Sequence, residues 1–249
     1  MLLIQPLFNN KTEYEALCEK HGLGYEVLEL SFDNAADGAL AWYGNCGRVK
    51  SLHGAFIDVN PGSSDSAFRA LSEKRYIESC GTALECGAEN VVFHSTCFPF
   101  LRGAYLESWA ARCADFYMRL AGMYPSLSIF IENSFDIDPQ PIKALTDRIS
   151  AKNIGVCLDI GHINYSRASL DEWFSALGDK VGYLHLSDNL GVYDDHLTLG
   201  SGTVDWEKAG RLFAYLPKET PVTLEVGDTD SIEKSVDFLK CSGIFGGVM

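Results

Sequence analysis

The segment VCLDIGH, residues 156–162, carries the pattern that decides the fold. A short apolar run, predicted as a strand over Gly155–Asp159, ends in a carboxylate, and a turn containing His162 follows at once. Strands of this length and apolar character are typical of parallel sheets that are buried on both faces. Outward from this segment, the chain repeats an apolar strand and a helical stretch in turn, which predicts a (β/α)8 TIM barrel.

Eight strand-length runs can be counted from one end of the sequence to the other. The predicted strands are Leu2–Gln5, Tyr25–Leu30, Lys50–Phe56, Asn90–His94, Leu127–Glu132, Gly155–Asp159, Val181–Leu186 and Val222–Val226. The 249 residues match the usual size of one barrel, and no linker divides them, so a single domain over residues 1–249 is expected. A doubly wound open sheet is the alternative, but no Gly-x-Gly-x-x-Gly motif follows the first strand to support a dinucleotide fold.

Helical segments are predicted between the strands. The clearest, Tyr105–Tyr124, has large apolar residues at spacings of three and four, and a second runs from Ser64 to Cys86. Further helix starts are predicted at Asp138 with a first-turn proline at Pro139, at a capping box of Ser169 and Glu172, at Asp205 and at Ser231. The connection Ala35–Tyr43 could be a short helix or a loop.

Composition limits the classes of protein that fit. There are 34 acidic and 20 basic residues, a formal net charge of −14, so the chain offers no basic footprint for nucleic acid. The eight cysteines include no C-x-x-C pair, which favours a reducing compartment. The N-terminal MLLIQPLF lacks a basic region and is too short to be a signal peptide or a membrane span. We therefore expect a cytoplasmic protein with no membrane partner.

Chemistry-bearing side chains gather where predicted strands end. Five of the six histidines, His53, His94, His162, His185 and His196, lie at or just after the C-terminal end of a predicted strand. In a barrel, that face carries the active site. A single histidine at such a place is more often a hydrogen-bonded structural residue, but chance placement does not put five of six on one face. His21, beside a glycine at a predicted helix end, is interpreted as a C-terminal helix cation.

Three carboxylates end otherwise apolar strands: Glu132, Asp159 and Glu225. Carboxylates that converge in an apolar lumen repel one another and lose hydration, and a bound divalent cation removes both costs. Carboxylate oxygen and imidazole nitrogen suit Zn²⁺ or Mn²⁺. Four consecutive strands therefore predict the metal ligands Glu132, Asp159, His185 and Glu225.

More candidate ligands surround these four. His162 follows Asp159 by three residues, and Asp194 and His196 alternate in the loop after the seventh strand. His53 and His94 end the third and fourth strands, where they could bind metal or substrate. The full set is too large for one ion and sufficient for two or three.

Several segments resemble the xylose isomerase-like TIM barrel superfamily, which includes sugar phosphate isomerases and epimerases and the endonuclease IV type of abasic-site nucleases. The segments are SLHGAFIDVNPGS (51–63), VVFHST (91–96), IFIENSF (129–135), VCLDIGHINYS (156–166), LHLSDNLGVYDDHLTLGSGTVDW (184–206) and VTLEV (222–226). The resemblance is specific from about Ser51 to Val226, and the strongest motifs are L-D-I-G-H and H-L-x-D-N…D-x-H-x-x-x-G-x-G.

The resemblance implies two possible activities. In the isomerases and epimerases, one metal is held at the positions of Glu132, Asp159, His185 and Glu225, and the two glutamates also move protons. In the endonuclease IV type, three zinc ions are held by nine residues. The matching positions here all carry the expected residue type: His53, His94, Glu132, Asp159, His162, His185, Asp194, His196 and Glu225.

Three features favour an isomerase or epimerase of a keto sugar or sugar phosphate over a multi-zinc phosphodiesterase. They are the acidity, the modest length, and Asp195 at a place where the nucleases tend to carry a basic residue. Arg102 and Arg167, after the fourth and sixth strands, are the candidates to hold a sugar phosphate. The implied partner is a small sugar in carbohydrate metabolism, and an oligomer is possible.

Overall fold

The computed structural model describes residues 1–29 and 38–244. Its eight strands form one closed parallel barrel in chain order, with the last strand paired to the first. The strands are β1 (Leu2–Ile4), β2 (Gly24–Leu28), β3 (Val49–His53), β4 (Asn90–His94), β5 (Ser128–Glu132), β6 (Ile154–Asp159), β7 (Val181–Leu186) and β8 (Val222–Leu224). The predicted (β/α)8 barrel is confirmed.

Helices surround this barrel. They are α1 (Lys11–His21), α2 (Ala39–Cys46), α3 (Ser66–Cys86), α4 (Gly103–Met123), α5 (Gln140–Thr146), α6 (Ile160–Tyr165), α7 (Leu170–Leu177), α8 (Trp206–Phe213) and α9 (Thr229–Ser242). Large apolar side chains such as Tyr76, Trp109, Phe116 and Trp173 are buried between helices and strands. This outer layer is the main hydrophobic core, as expected when helices cover a parallel sheet.

Apolar side chains fill the barrel lumen beneath the C-terminal strand ends. Leu3, Val92, Phe130, Cys157 and Tyr183 form a separate buried cluster inside the barrel. A barrel of eight strands leaves an interior just wide enough for side chains, so this cluster closes the lumen as a packed layer. The polar strand ends therefore sit on an apolar floor, open toward one face only.

Most differences from the sequence predictions fall at element boundaries. The third strand ends at His53 and not at Phe56, because the chain leaves the barrel at Gly54, and the eighth ends at Leu224. Asp138 does accept a hydrogen bond from the Gln140 N–H, yet α5 begins after Pro139, one residue later than predicted. Of the two alternatives for the connection Ala35–Tyr43, the structure has the helix from Ala39 onward. Residues 35–37 of this connection, and Leu30 at the end of the predicted second strand, lie outside the described residues.

Two of the predicted helix caps form the expected hydrogen bonds. Ser169 and Glu172 form both bonds of a capping box, and Asp205 accepts the N–H of Lys208 at 2.9 Å. Within residues 1–29 and 38–244, no helix is long and apolar enough to cross a membrane.

Candidate functional site

The strand ends bring the predicted ligands to one face of the barrel. His53, His94, Glu132 and Asp159 are the last residues of β3, β4, β5 and β6, whereas His185 is the second-last residue of β7. Glu225 follows β8 directly. Because all these strands run in parallel, their C-terminal ends share one rim, and the side chains converge over the lumen.

The innermost group consists of Glu132, Asp159, His185 and Glu225, whose potential ligand atoms all lie within 4.8 Å of one another. The four residues are buried. Both Glu132 oxygens, Oδ2 of Asp159 and Nδ1 of His185 have no hydrogen-bond partner of good geometry among the described residues. Buried polar atoms without partners are costly, so the set fits a divalent cation with carboxylate and imidazole ligands.

A second group lies on the β3–β4 side and shares Glu132. His53 Nε2 is 3.2 Å and His94 Nε2 is 3.6 Å from Glu132 Oε2. The three ligand atoms also lie within 4.8 Å of one another. Glu132 thus stands where one carboxylate could bridge two ions.

A third group lies toward the loop after β7. Oδ2 of Asp194 is 3.2 Å from His162 Nε2 and 3.0 Å from His196 Nε2. The three residues have potential ligand atoms within 4.8 Å of one another. All nine predicted ligands therefore belong to one of these three groups.

The L-D-I-G-H segment owes its shape to local contacts. Oδ1 of Asp159 accepts the His162 N–H at 2.7 Å and caps α6, which leaves Oδ2 free to face the site. Asn133 holds the same residue through two bonds between its side-chain amide and the Asp159 backbone, at 2.8 and 3.0 Å. At Gly161, a Cβ would collide with Ser187 Oγ, so a larger residue does not fit the turn.

The loop from Ser187 to Asp205, here called the β7 loop, is organised by Asp188. This buried carboxylate accepts the N–H groups of Asn189, Gly200 and Val204 and the indole N–H of Trp206, at 2.9–3.1 Å. Four donors on one carboxylate fix the loop backbone. The β7 loop can then carry Asp194 and His196 toward the metal ligands.

The sequence reasoning missed Glu26, which lies on β2 inside the lumen. Its carboxylate accepts the hydroxyls of Ser51 and Tyr183, both at 2.8 Å, and lies 3.1 Å from Nε2 of His185. Gln5 was missed as well, and its amide donates to both Glu26 and Glu225. The signal was present, because Glu26 interrupts an apolar strand as Glu132 does, but it stands in mid-strand and not at the end.

Burial and neighbouring carboxylates shift the pKa values of the histidines and of Asp159 in the site. Burial acts to lower the pKa of His53, but the hydrogen bond and charge of Glu132 outweigh it and raise this pKa to about 9. In the same way, Asp194 raises the pKa of His196 to about 9 against its burial. Burial dominates at His94, whose pKa falls to about 4, and at Asp159, whose pKa rises to about 7. His53 and His196 thus supply positive charge that the neighbouring carboxylates require, whereas the His94 imidazole stays neutral.

The two arginines predicted to hold a phosphate are engaged elsewhere. Arg102 pairs with Asp138, and the Arg167 guanidinium lies 5.0 Å from the centre of the Phe100 ring. Asp195 is exposed in the β7 loop, as its sequence context indicates. The phosphate-binding role of the arginines stays a prediction.

Comparisons with known proteins agree with the barrel fold. A family model described as xylose isomerase-like TIM barrel matches residues 4–241. The uncharacterized protein MJ1311 of Methanocaldococcus jannaschii is 25% identical over 201 residues, which are 76% of this chain and 68% of that protein.

Two solved structures extend the comparison. A structure described as D-tagatose 3-epimerase-like is 20% identical, with a TM-score of 0.81, over 99% of this chain and 97% of that one. The TTHB071 protein of Thermus thermophilus, soaked with ZnCl2, is 24% identical, with a TM-score of 0.79, over 96% of both chains. At these identities the likeness establishes a common fold.

Proposed function

Because the chain belongs to the xylose isomerase-like TIM barrel family, we propose that it is a metal-dependent isomerase or epimerase of a keto sugar or sugar phosphate. The observation that carries the proposal is the convergence of Glu132, Asp159, His185 and Glu225 on one buried point. The similarity to a D-tagatose 3-epimerase-like protein supports a ketose as the substrate class. The partner is then a small molecule in the cytoplasm.

In this proposal, the four inner residues hold a Zn²⁺ or Mn²⁺ ion. When bound, such an ion polarises a carbonyl and a neighbouring hydroxyl as a Lewis acid. A carboxylate oxygen of Glu132 or Glu225 takes the proton from the carbon next to the carbonyl, and the other glutamate returns a proton. His53 and His94 stand on the β3–β4 side, where they contact substrate hydroxyls or a further ion.

Solvent proton exchange tests the proposal. The metal-loaded protein in D2O is expected to incorporate deuterium into at least one ketose or ketose phosphate of a panel, and Glu225→Gln should slow incorporation by about 1000-fold. Glu219→Gln is the matched control because Glu219 is exposed and lies before β8, at the opposite end of that strand from Glu225. If no sugar of the panel exchanges a carbon-bound proton with the metal present, the isomerase proposal fails.

A second candidate, a multi-zinc phosphodiesterase of the endonuclease IV type, is favoured by the third group, His162, Asp194 and His196. Three divalent ions against the four carboxylates Glu132, Asp159, Asp194 and Glu225 leave about two positive charges for a phosphate anion. The net charge of −14 and Asp195 argue against DNA as its substrate. Three tightly bound zinc ions per chain, together with cleavage of abasic DNA, would favour this candidate over the isomerase.

A further inference from the structure

An apolar groove adjoins the candidate metal ligands on the β3–β4 side. It encloses about 310 Å³. The residues that shape it, here called the His94 groove, are Ile57, Val59, Phe68, Phe98, Phe135 and, as its inner wall, His94. Since His94 also lies 3.6 Å from Glu132, the groove and the metal ligands share a wall. A ligand that reaches the metal can therefore extend into the groove.

The apolar walls are exposed at a cost to the fold. Ile57, Phe98 and Phe135 are 64%, 75% and 58% exposed. Ile57 and Thr96, which also lines the groove, adopt the left-handed backbone conformation, with φ of 66° and 56°. That conformation is unfavourable for a branched or bulky residue and tends to persist where a site requires it. The groove thus combines solvent-exposed apolar side chains with two strained backbone positions.

The groove offers little to an anion. Among the residues that the structure describes, no aspartate, glutamate, lysine or arginine lines it. Two of its polar side chains are already used internally: Asn60 Oδ1 accepts the Gly62 N–H, and the Ser95 hydroxyl donates to Asp136. A phosphate needs cationic or N–H donors, whereas an uncharged apolar group needs only the surface that this groove provides.

We propose that the His94 groove binds an uncharged aryl or alkyl substituent of the sugar, so that the substrate is a keto-glycoside. Its ring keeps a ketone, which supplies the carbonyl that the proposed chemistry requires, and its anomeric carbon carries an apolar aglycone. This inference rests on the proposed sugar isomerase or epimerase function. The sugar ring lies at the metal ligands, and the aglycone lies against Ile57, Phe98 and Phe135. Contact with the ligand then buries apolar side chains that the free protein leaves in water.

Occupation of the groove can be measured without turnover. The zinc-loaded protein, labelled with ¹³C in the Ile δ1 methyls, is titrated with p-cresol and with matched methyl and phenyl glycosides of several hexoses that carry a ring ketone. Ile57→Val assigns the Ile57 methyl signal. We expect p-cresol and the phenyl glycosides to shift this signal, and phenyl glycosides to bind about tenfold or more tightly than their methyl counterparts.

Variants of the groove residues test whether the tighter binding of the phenyl compounds comes from the groove. Phe98→Ser with Phe135→Ser should abolish the preference for phenyl over methyl while zinc content stays unchanged. Tyr215→Ser is the matched control, because Tyr215 is 87% exposed and follows α8, away from the groove. Equal binding of phenyl and methyl glycosides, or tighter binding of hexose phosphates, overturns the inference.

The remaining outcomes separate this inference from the proposed function. If the aromatic probes bind the groove but no sugar exchanges deuterium, the isomerase proposal fails and the subsite stands. If unsubstituted or phosphorylated sugars are isomerised and the phenyl gain is absent, the subsite fails and the function stands. A dimer in sedimentation that the Phe98 and Phe135 variants dissociate would assign the groove to a second copy of the chain and overturn the subsite.

Discussion

Glu26 is the residue whose position adds most to the predicted ligand set. It lies 3.1 Å from Nε2 of His185, and the other ring nitrogen, Nδ1, lies 3.2 Å from Glu132 and 3.1 Å from Glu225. A carboxylate on one nitrogen fixes the orientation of the ring and strengthens the other nitrogen as a metal ligand. We therefore infer that Glu26 is a positioning residue that presents Nδ1 to the site.

We expect Glu26→Gln to weaken zinc binding by about 10- to 100-fold, because an amide accepts the His185 proton less strongly than a carboxylate. Competition with a chelator of known affinity measures the change. Glu29→Gln is the control, since Glu29 is another buried glutamate next to the same strand. Equal zinc affinity of Glu26→Gln and the native protein would contradict the positioning role.

Asp136 provides a prediction about pH. Burial raises its pKa to about 6, although Ser95 and the Ser134 N–H donate to its carboxylate. Its unfolded pKa is about 3.9. A raised pKa in an acid means that the folded state favours the protonated form, so its contribution to stability is full below about pH 4 and is lost as the pH rises through 6.

The stability of the Asp136→Asn variant relative to the native protein should therefore increase as the pH rises. Relative to the difference at pH 4, we expect its free energy of unfolding to improve by up to about 3 kcal/mol at pH 7.5, because the amide never ionises. Urea unfolding at several pH values checks this. If the difference in unfolding free energy between the variant and the native protein is the same at pH 4 and pH 7.5, ionisation of Asp136 does not destabilise the folded state.

At the scale of elements, the β7 loop depends on Asp188. Asn at this position keeps one acceptor oxygen and loses bonds to the loop N–H groups or to Trp206. We expect Asp188→Asn to cost about 2–4 kcal/mol in unfolding free energy and to reduce zinc bound at the His162, Asp194 and His196 group. Unfolding curves and zinc counts per chain test both effects.

Ser169→Ala is the matched comparison for Asp188→Asn. It removes the capping box of α7 and should cost about 1 kcal/mol in unfolding free energy. Zinc content should stay the same, because α7 lies outside the metal groups. Equal zinc loss in both variants would show that general destabilisation, and not the loop, controls metal binding.

The same elements show what sequence patterns can predict. Short runs rich in valine, isoleucine, leucine and phenylalanine mark most of the strands, since burial on both faces favours this composition. Polar strand ends are visible for the same reason, because a residue such as Glu132 contrasts with its apolar neighbours. Contacts between distant segments are not visible, so the link between Glu26 and His185, and the groove between Ile57 and Phe135, appeared only in three dimensions.

On the scale of the whole molecule, we expect stability and metal binding to be coupled. Carboxylates from three strands meet in the lumen, and an ion that binds only the folded chain stabilises it. At about 100 times the dissociation constant, the gain is about 2.7 kcal/mol. For a protein of this size, that corresponds to roughly 5–10 °C in melting temperature.

Chelation followed by dialysis should lower the melting temperature by that amount, and added zinc should restore it. Zinc should raise the melting temperature of Glu132→Gln much less than that of the native protein, since Glu132 belongs to both the first and the second group of candidate ligands. His21→Gln changes a histidine at the end of α1, outside the metal groups, and should respond to zinc like the native protein. A native protein whose melting is indifferent to chelation would contradict the coupling.

The pairing of β8 with β1 has a consequence for biosynthesis. Glu225 is the last of the inner ligands to leave the ribosome, and it arrives with the strand that closes the barrel. A nascent chain that lacks β8 has an open edge on β1 and an incomplete ligand set at once. Closure of the barrel and completion of the candidate metal site therefore coincide, so the proposed site can form only after the ribosome has translated the final strand.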